Sequence, residues 1–434
     1  MEDILSLAKR RAEQAEVFHV SSKMTPVHFE ANRLKQIQTK ESTSTALRLI
    51  RGGKIGFAQA NGLIKPKALV NMAMETCQFG SPAKFDFPGP NAYPQVDILD
   101  SQVDEVSTND MVELGEQLIA AVRSHTPDIV CEASVTKGVS SVHIINSAGG
   151  EASYSRSFFD LSLEGVLVQG DDMLFVGDGQ SSCHPVLNFK AVAGEITMQL
   201  ELAKKNVSVP SRPMPVIFTP MGVASSLIAP LVTAFNGKIV LDGASPLKDK
   251  RHKQVFDNRF SLWDDATLPY QIASCPCDDE GMPSQPTPLV DHGVVSRFLY
   301  DLQTAALANT ESTGNGSRHG GLPTPSPSSL VISEGAVSFW DMVSNMKLGL
   351  IIEQLMGAEQ GNTLNGDFSG NVLLGYKVER GEITGRVKDT MVSGNVYHVL
   401  RQLEAIGREA RWIGGLLRTP CLYCPSLSVA TKAG

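Results

Sequence analysis

The amino-acid sequence predicts an α+β protein of two domains, largely antiparallel sheets with flanking helices. Apolar and polar residues alternate with period two through residues 129–176 and in several shorter runs, as strands with one buried face do. Glycine-bearing turns interrupt these runs at hairpin spacing. The helical stretches fall between groups of strands and do not alternate with single strands as βα units.

In order along the chain, residues 3–15 predict a short amphipathic helix, with Ile4, Leu5, Ala8, Ala12 and Ala15 near helical spacing. Val17, His19 and the run 27–30 alternate as strands. Residues 46–50 and 55–58 flank Gly52-Gly53, which supplies the positive φ of a tight hairpin. A helix over 66–77 starts with Pro66 in its first turn. Residues 80–106, with Pro82, Pro88, Pro90 and Pro94, predict a long surface excursion. A helix over 108–124 precedes the 129–176 meander, which breaks at 148–150 and 170–172, and a helix over 188–205 follows. The proline cluster Pro210, Pro213 and Pro215 sets the domain boundary, giving 1–208 and 209–434. Beyond it come a strand at 216–218, a helix over 223–235, a hairpin around Asp291-His292-Gly293, a helix over 339–356, a hairpin over 372–386 and a helix over 396–410. Pro425 to Val429 reads as a strand.

Composition narrows the function. Lys and Arg number 38 against 46 Asp and Glu, a formal charge of −8, which argues against a nucleic-acid partner. No run approaches the roughly 20 apolar residues of a membrane span, and the N-terminus lacks a secretory h-region. The seven cysteines make no disulfide framework, so a cytoplasmic setting is expected.

The nine histidines are dispersed, no two closer than nine residues, so no HExxH pair exists. Cys275-Pro276-Cys277 and Cys421-Leu422-Tyr423-Cys424 supply enough thiols for a four-thiolate site, against the plainer alternative of small buried residues. GxSxG, P-loop and GxGxxG motifs are absent. Residues 314–321, Gly-Asn-Gly-Ser-Arg-His-Gly-Gly, present backbone N–H groups that suit ligand contact or form a plain surface loop. The basic run 248–253 is short and free of aromatics, as a solvated face is.

Several long blocks resemble one family. They are Phe29-Glu30-Ala31-Asn32-Arg33-Leu34-Lys35, the run 298–305 (Phe-Leu-Tyr-Asp-Leu-Gln-Thr-Ala), Ser312-Thr313-Gly314-Asn315-Gly316, Gly366-Asp367-Phe368-Ser369-Gly370-Asn371 and Gly385-Arg386-Val387-Lys388-Asp389-Thr390-Met391. In their order they resemble the TldD/PmbA family, whose older label is modulator of DNA gyrase. The ending 418–429 resembles its PmbA (TldE) branch.

The resemblance implies a cytoplasmic zinc-dependent peptidase system in which a TldD subunit and a PmbA/TldE subunit form a heterodimer that trims or matures peptides. It also implies a C-terminal domain built on a curved antiparallel sheet. In TldD an HExxxH helix and a Cys near the C-terminus hold the metal. The matching helix here, 223–235, contains no His, Glu or Cys, and residues 412–417 contain no Cys.

The expectation is therefore a metal-free chain with no catalytic residue of its own, zinc residing in a TldD-like partner. The substrate is an unstructured peptide, contacted by Thr313, Gly314, Asn315 and Gly316. A homodimer is the alternative assembly when the chain is alone. Two other functions stay open: a self-sufficient hydrolase using His292 with Asp291, or Cys421 and Cys424, and a non-enzymatic regulator of gyrase.

Overall fold

The computed structural model describes residues 1–358 and 361–432. Two mostly antiparallel sheets organise these residues, as the period-two pattern predicts. The first has seven strands: β1 (Gln14–Glu30), β2 (Arg33–Ile37), β3 (Lys40–Arg51), β4 (Lys54–Asn61), β5 (Val130–Asn146), β6 (Glu151–Gln169) and β7 (Asp172–Ser182). Their order is β4-β3-β1-β5-β6-β7, with β2 extending the β1 edge beyond β3. The turns fall at the expected glycines, Gly52 and Gly53 both taking positive φ.

The helix Pro66–Cys77 packs on β3 and β4, burying Leu69, Val70, Ala73 and Met74. The helix Thr108–His125 begins at Ser107, whose hydroxyl and the Asp110 carboxylate form a reciprocal capping box. Residues 81–101, mostly without regular structure, cross toward the second half of the chain. Gln303 bonds Lys84 N–H and the Pro82 carbonyl, and the Tyr93 hydroxyl donates to the Gly281 carbonyl at 3.2 Å.

The second sheet has twelve strands between Asn206 and Thr431. Its hub is Leu417–Thr431, which pairs antiparallel with Met214–Phe218, Thr390–Asn395 and Ala405–Ile413, and parallel with Leu330–Ile332. One buried cluster draws on both sheets and the helices Thr108–His125 and Phe189–Leu202: Val135 and Phe159, Leu118 and Ile196, Ile217, Ile351 and Tyr376 all belong to it. A second cluster, including Phe218, Leu231, Phe235, Phe260 and Leu350, fills the other face of the second sheet. No helix among the described residues is long and apolar enough to cross a membrane.

Two expected helices are corrected. Residues 339–356 form a helix only over Phe339–Ser344, ending at Asn345. Leu348–Met356 is instead a strand between Met214–Phe218 and Asp367–Glu379. Residues 396–410 behave alike: the helix Val396–Arg401 gives way to the strand Ala405–Ile413. The apolar run Leu348–Ile352 fits either period, and burial between its two neighbouring strands decides, whereas Ala405–Ile413 is drawn into the sheet by antiparallel pairing with Leu417–Thr431. The first helix also stops early, at Lys9, because Gln14 onward joins β1. The 223–235 helix is two short helices, Pro220–Ser226 and Ile228–Phe235, broken at Leu227, with Pro230 in the first turn of the second, where its missing N–H is harmless.

Candidate functional site

The first sheet meets the second half of the chain along a buried ionic seam. In the β1–β3 pairing Glu16 lies opposite Arg48, so their side chains share one face. Arg48, 2% exposed, donates through Nη2 to Glu16 at 3.2 Å and through Nη1 to Glu280 at 2.5 Å. Arg318 also donates to Glu16. Aromatic rings close over both cations: Phe85 and Phe87 lie 4.8 and 4.9 Å from the Arg48 guanidinium carbon, and Phe18 lies 5.2 Å from that of Arg318. Burial opposes the Arg48 charge, but the fields of Glu16 and Glu280 outweigh it and hold the group above its ordinary range. Burial pushes the Glu280 carboxyl up despite Arg48.

Beside this seam sits the loop of Thr313, Gly314, Asn315 and Gly316, all four buried. Tyr300 N–H donates to the Thr313 hydroxyl oxygen at 2.8 Å. Gly314 has φ of +73°, and a Cβ there would lie 2.6 Å from the Pro283 carbonyl oxygen, so only glycine fits. Asn315, 5% exposed, donates its amide to Asp264 Oδ2 at 2.6 Å and to the Ser326 carbonyl at 3.1 Å. Gly316 N–H donates to Asp278 at 2.8 Å, and Arg318 N–H to Asp279 at 2.7 Å.

Three carboxylates therefore cradle the loop. Burial pushes Asp264 up to about 6, Asp278 well above its usual range, and Asp279 up as well. Just beyond the loop the chain reaches the surface at His319 and Gly320, both exposed. Sequence reasoning singled out the loop and missed its partners. Residues 277–281, Cys-Asp-Asp-Glu-Gly, have the composition of a solvated acidic turn, and only the tertiary fold buries them.

The alternative candidates lie elsewhere. His292 and Asp291 bond each other at 2.8 Å on an exposed hairpin turn, with side chains 81% and 57% exposed. All seven cysteines are free thiols. Burial pushes Cys421 up to about 12, with Glu353 adding to the shift, and raises Cys424 further, so both are poor nucleophiles near neutral pH. Cys275 is likewise raised by burial to about 12.

A zinc ion needs convergent His, Cys or carboxylate donors. Among the described residues no three such groups converge. The helices Pro220–Ser226 and Ile228–Phe235 bury Val223, Leu231, Ala234 and Phe235 in the core. These side chains do not fit a metal. One acid does stand near them. Glu353, on a bulge of its strand, accepts from the Thr219 hydroxyl at 2.8 Å, and burial pushes it up to about 7.

Three consecutive stretches match models of metallopeptidase domains. Residues 15–77 match PmbA/TldA metallopeptidase domain 1, residues 102–202 the central domain, and residues 211–431 the C-terminal domain. The chain belongs to the PmbA/TldD family. It is 23% identical to a metalloprotease of Methanothermobacter thermautotrophicus over 421 residues, which cover 94% of this chain and 91% of the relative. Its fold is that of the crystal structure of TldE from Thermococcus kodakarensis, with a TM-score of 0.89, 99% coverage of both chains and 23% identity. A candidate modulator of a DNA gyrase from Thermotoga maritima superposes with a TM-score of 0.87, 99% coverage of both chains and 22% identity.

Proposed function

We propose that this chain is the metal-free, substrate-holding member of a two-subunit peptidase, paired with a TldD-like subunit that carries zinc and cleaves unstructured peptides. One observation carries the proposal: in a chain of a metallopeptidase family, the helices that follow the strand Met214–Phe218 present apolar core side chains where metal donors would be needed. Residues 1–208 and 209–434 then act as its two domains, in a reducing cytoplasm that suits seven free cysteines.

The 313–316 loop is the proposed substrate element. Because its own residues are buried, the peptide meets the exposed residues just beyond it, His319 and Gly320. Main-chain hydrogen bonding of an extended peptide would tolerate varied sequences.

The test is to purify the chain alone and with a TldD-like subunit, then measure zinc content and hydrolysis of unstructured peptides. Zinc and activity are expected only where the TldD-like subunit is present, with turnover of the pair above that of this subunit by itself. Stoichiometric zinc or robust hydrolysis in the isolated chain overturns the proposal, and so does a pair no faster than the TldD-like subunit alone.

A further inference from the structure

An antiparallel sheet packed on one side alternates buried apolar with solvated polar residues. The strands β5, β6 and β7 keep that rule over most of their length. Their inner face buries Cys131, Leu163, Leu174 and Val176 in the cluster that includes the helices Thr108–His125 and Phe189–Leu202. On the outer face the paired rows are Thr136, Asp160 and Ser181, then Ser134, Ser162 and Gly179. Toward the β6–β7 turn the rule fails. The next outer rows are Glu132, Glu164 and Gly177, then Val130, Val166 and Phe175, then Val168 with Met173.

Val130, Val168, Met173 and Phe175 are 36–57% exposed, so with Val166 they form one bare apolar patch. Single exposed apolar residues are ordinary, whereas a contiguous group on a sheet face marks a contact surface. Glu132 and Glu164 border the patch directly opposite each other, and like charges so placed destabilise a cross-strand pair. Both are exposed, and neither is ion-paired among the described residues. Lys388, beside the β6–β7 turn, is held by Asp172 at 3.0 Å, and Lys35 by Glu30 at 3.1 Å.

The adjoining edge of β7 is closed to another strand. Gln199 donates to the Gly177 carbonyl at 3.1 Å and accepts from its N–H at 2.9 Å, and Arg386 donates to the Met173 carbonyl at 2.7 Å. A partner therefore lies on the face, and a helix is the element that covers a sheet face without using its edge. A second copy of this chain does not match, because a two-fold contact through the patch gathers four carboxylates with no cation. The complementary surface is a helix of a different protein, with an apolar stripe and Lys or Arg about one turn along. Rows on the sheet repeat about every 7 Å and helical turns about every 5.4 Å, a mismatch that a long basic side chain spans.

We propose that the outer face of β5, β6 and β7, from Glu132 and Glu164 to Val168 and Met173, docks an amphipathic helix of a basic partner protein. Docking needs neither zinc nor a peptidase subunit, so its test is independent of the peptidase assignment. The probe is a capped Ala/Leu peptide of about 14 residues, leucines on one helical face and lysines flanking them. It is titrated into the full-length chain by fluorescence anisotropy. Saturable binding is expected with a Kd of roughly 10–100 micromolar, about tenfold tighter than that of the same peptide with glutamate in place of lysine.

Val168→Thr combined with Phe175→Thr removes apolar contact at exposed positions where Thr keeps strand propensity, and should weaken binding about tenfold. Glu132→Lys combined with Glu164→Lys should reverse the preference, so that the glutamate peptide binds better. That reversal separates docking from a fold disturbed by substitution. No saturable binding, equal affinity for the two peptides, undiminished affinity in the threonine variant or an unreversed preference would each overturn the proposal. So would a dimer of the unsubstituted chain that the two threonines dissociate, since a second copy would then occupy the face.

Discussion

The 313–318 segment is held between two buried carboxylate groups that neutralise charge in different ways. On one side Glu16 and Glu280 meet Arg48 and Arg318, cation against anion, under the rings of Phe18, Phe85 and Phe87. On the other, Asp264 is met by neutral donors: the Asn315 amide and the Ser328 N–H and hydroxyl. Arg48 keeps its charge at any ordinary pH, whereas Asp264 titrates near 6. Ionic pairing fixes a charge state. Dipolar solvation of a buried acid leaves it adjustable.

The largest expected effect comes from breaking the ionic side. Arg48→Ala leaves Glu16 and Glu280 buried with one fewer cation and should cost about 3–5 kcal/mol in denaturant titrations. A loss below about 1 kcal/mol would show that the pair contributes little beyond packing.

The dipolar side should be exposed by pH. The folded Asp264 carboxyl binds its proton more tightly than the unfolded one, so its contribution to stability is complete below the ordinary value of 3.8. That contribution is lost as pH rises through about 6. Over pH 4 to 7 this amounts to about 2–3 kcal/mol. Asp264→Asn should flatten the pH dependence of stability by that amount, and an unchanged slope would place the titration in other residues.

A smaller effect is expected at Gly316, where a Cβ would lie 2.5 Å from Glu280 Oε2. Gly316→Ala should cost about 1–3 kcal/mol by forcing the carboxylate aside. Least costly, Phe87→Leu keeps much of the buried volume and removes the ring over Arg48, for about 1 kcal/mol. Asn315→Ala bridges stability and function: it removes the donor to Asp264 and should lower turnover of the subunit pair. An unchanged rate would separate the loop from substrate handling.

Three hairpins of the first sheet were legible because each declares itself twice, by period-two strands and by turn residues at 52–53, 148–150 and 170–172, whereas the β1–β2 hairpin at Ala31-Asn32 went unread. The helices Pro66–Cys77 and Thr108–His125 carry their own start signals, Pro66 and Ser107. Leu348–Met356 and Ala405–Ile413 lack such punctuation and take the conformation that strand pairing imposes.

The candidate site divides similarly. The Thr313 to Gly316 run stands out by its glycines, whereas the bond from Arg48 to Glu280 spans 232 positions. No local pattern marks either residue as buried. The acids at 264 and 278–280 look like ordinary loop composition until the fold closes over them.

The position of the strand Leu417–Thr431 constrains how the molecule is made. All the strands it pairs with, from Met214–Phe218 to Ala405–Ile413, are translated before it. On the ribosome, β1 to β7 can pair while later residues are still being added. The second sheet waits with its central slot vacant and unsatisfied strand edges on both sides. Such long-range closure is slow. The nascent chain therefore passes through an interval in which a chaperone, or a foreign strand, can occupy the place its own hub will take.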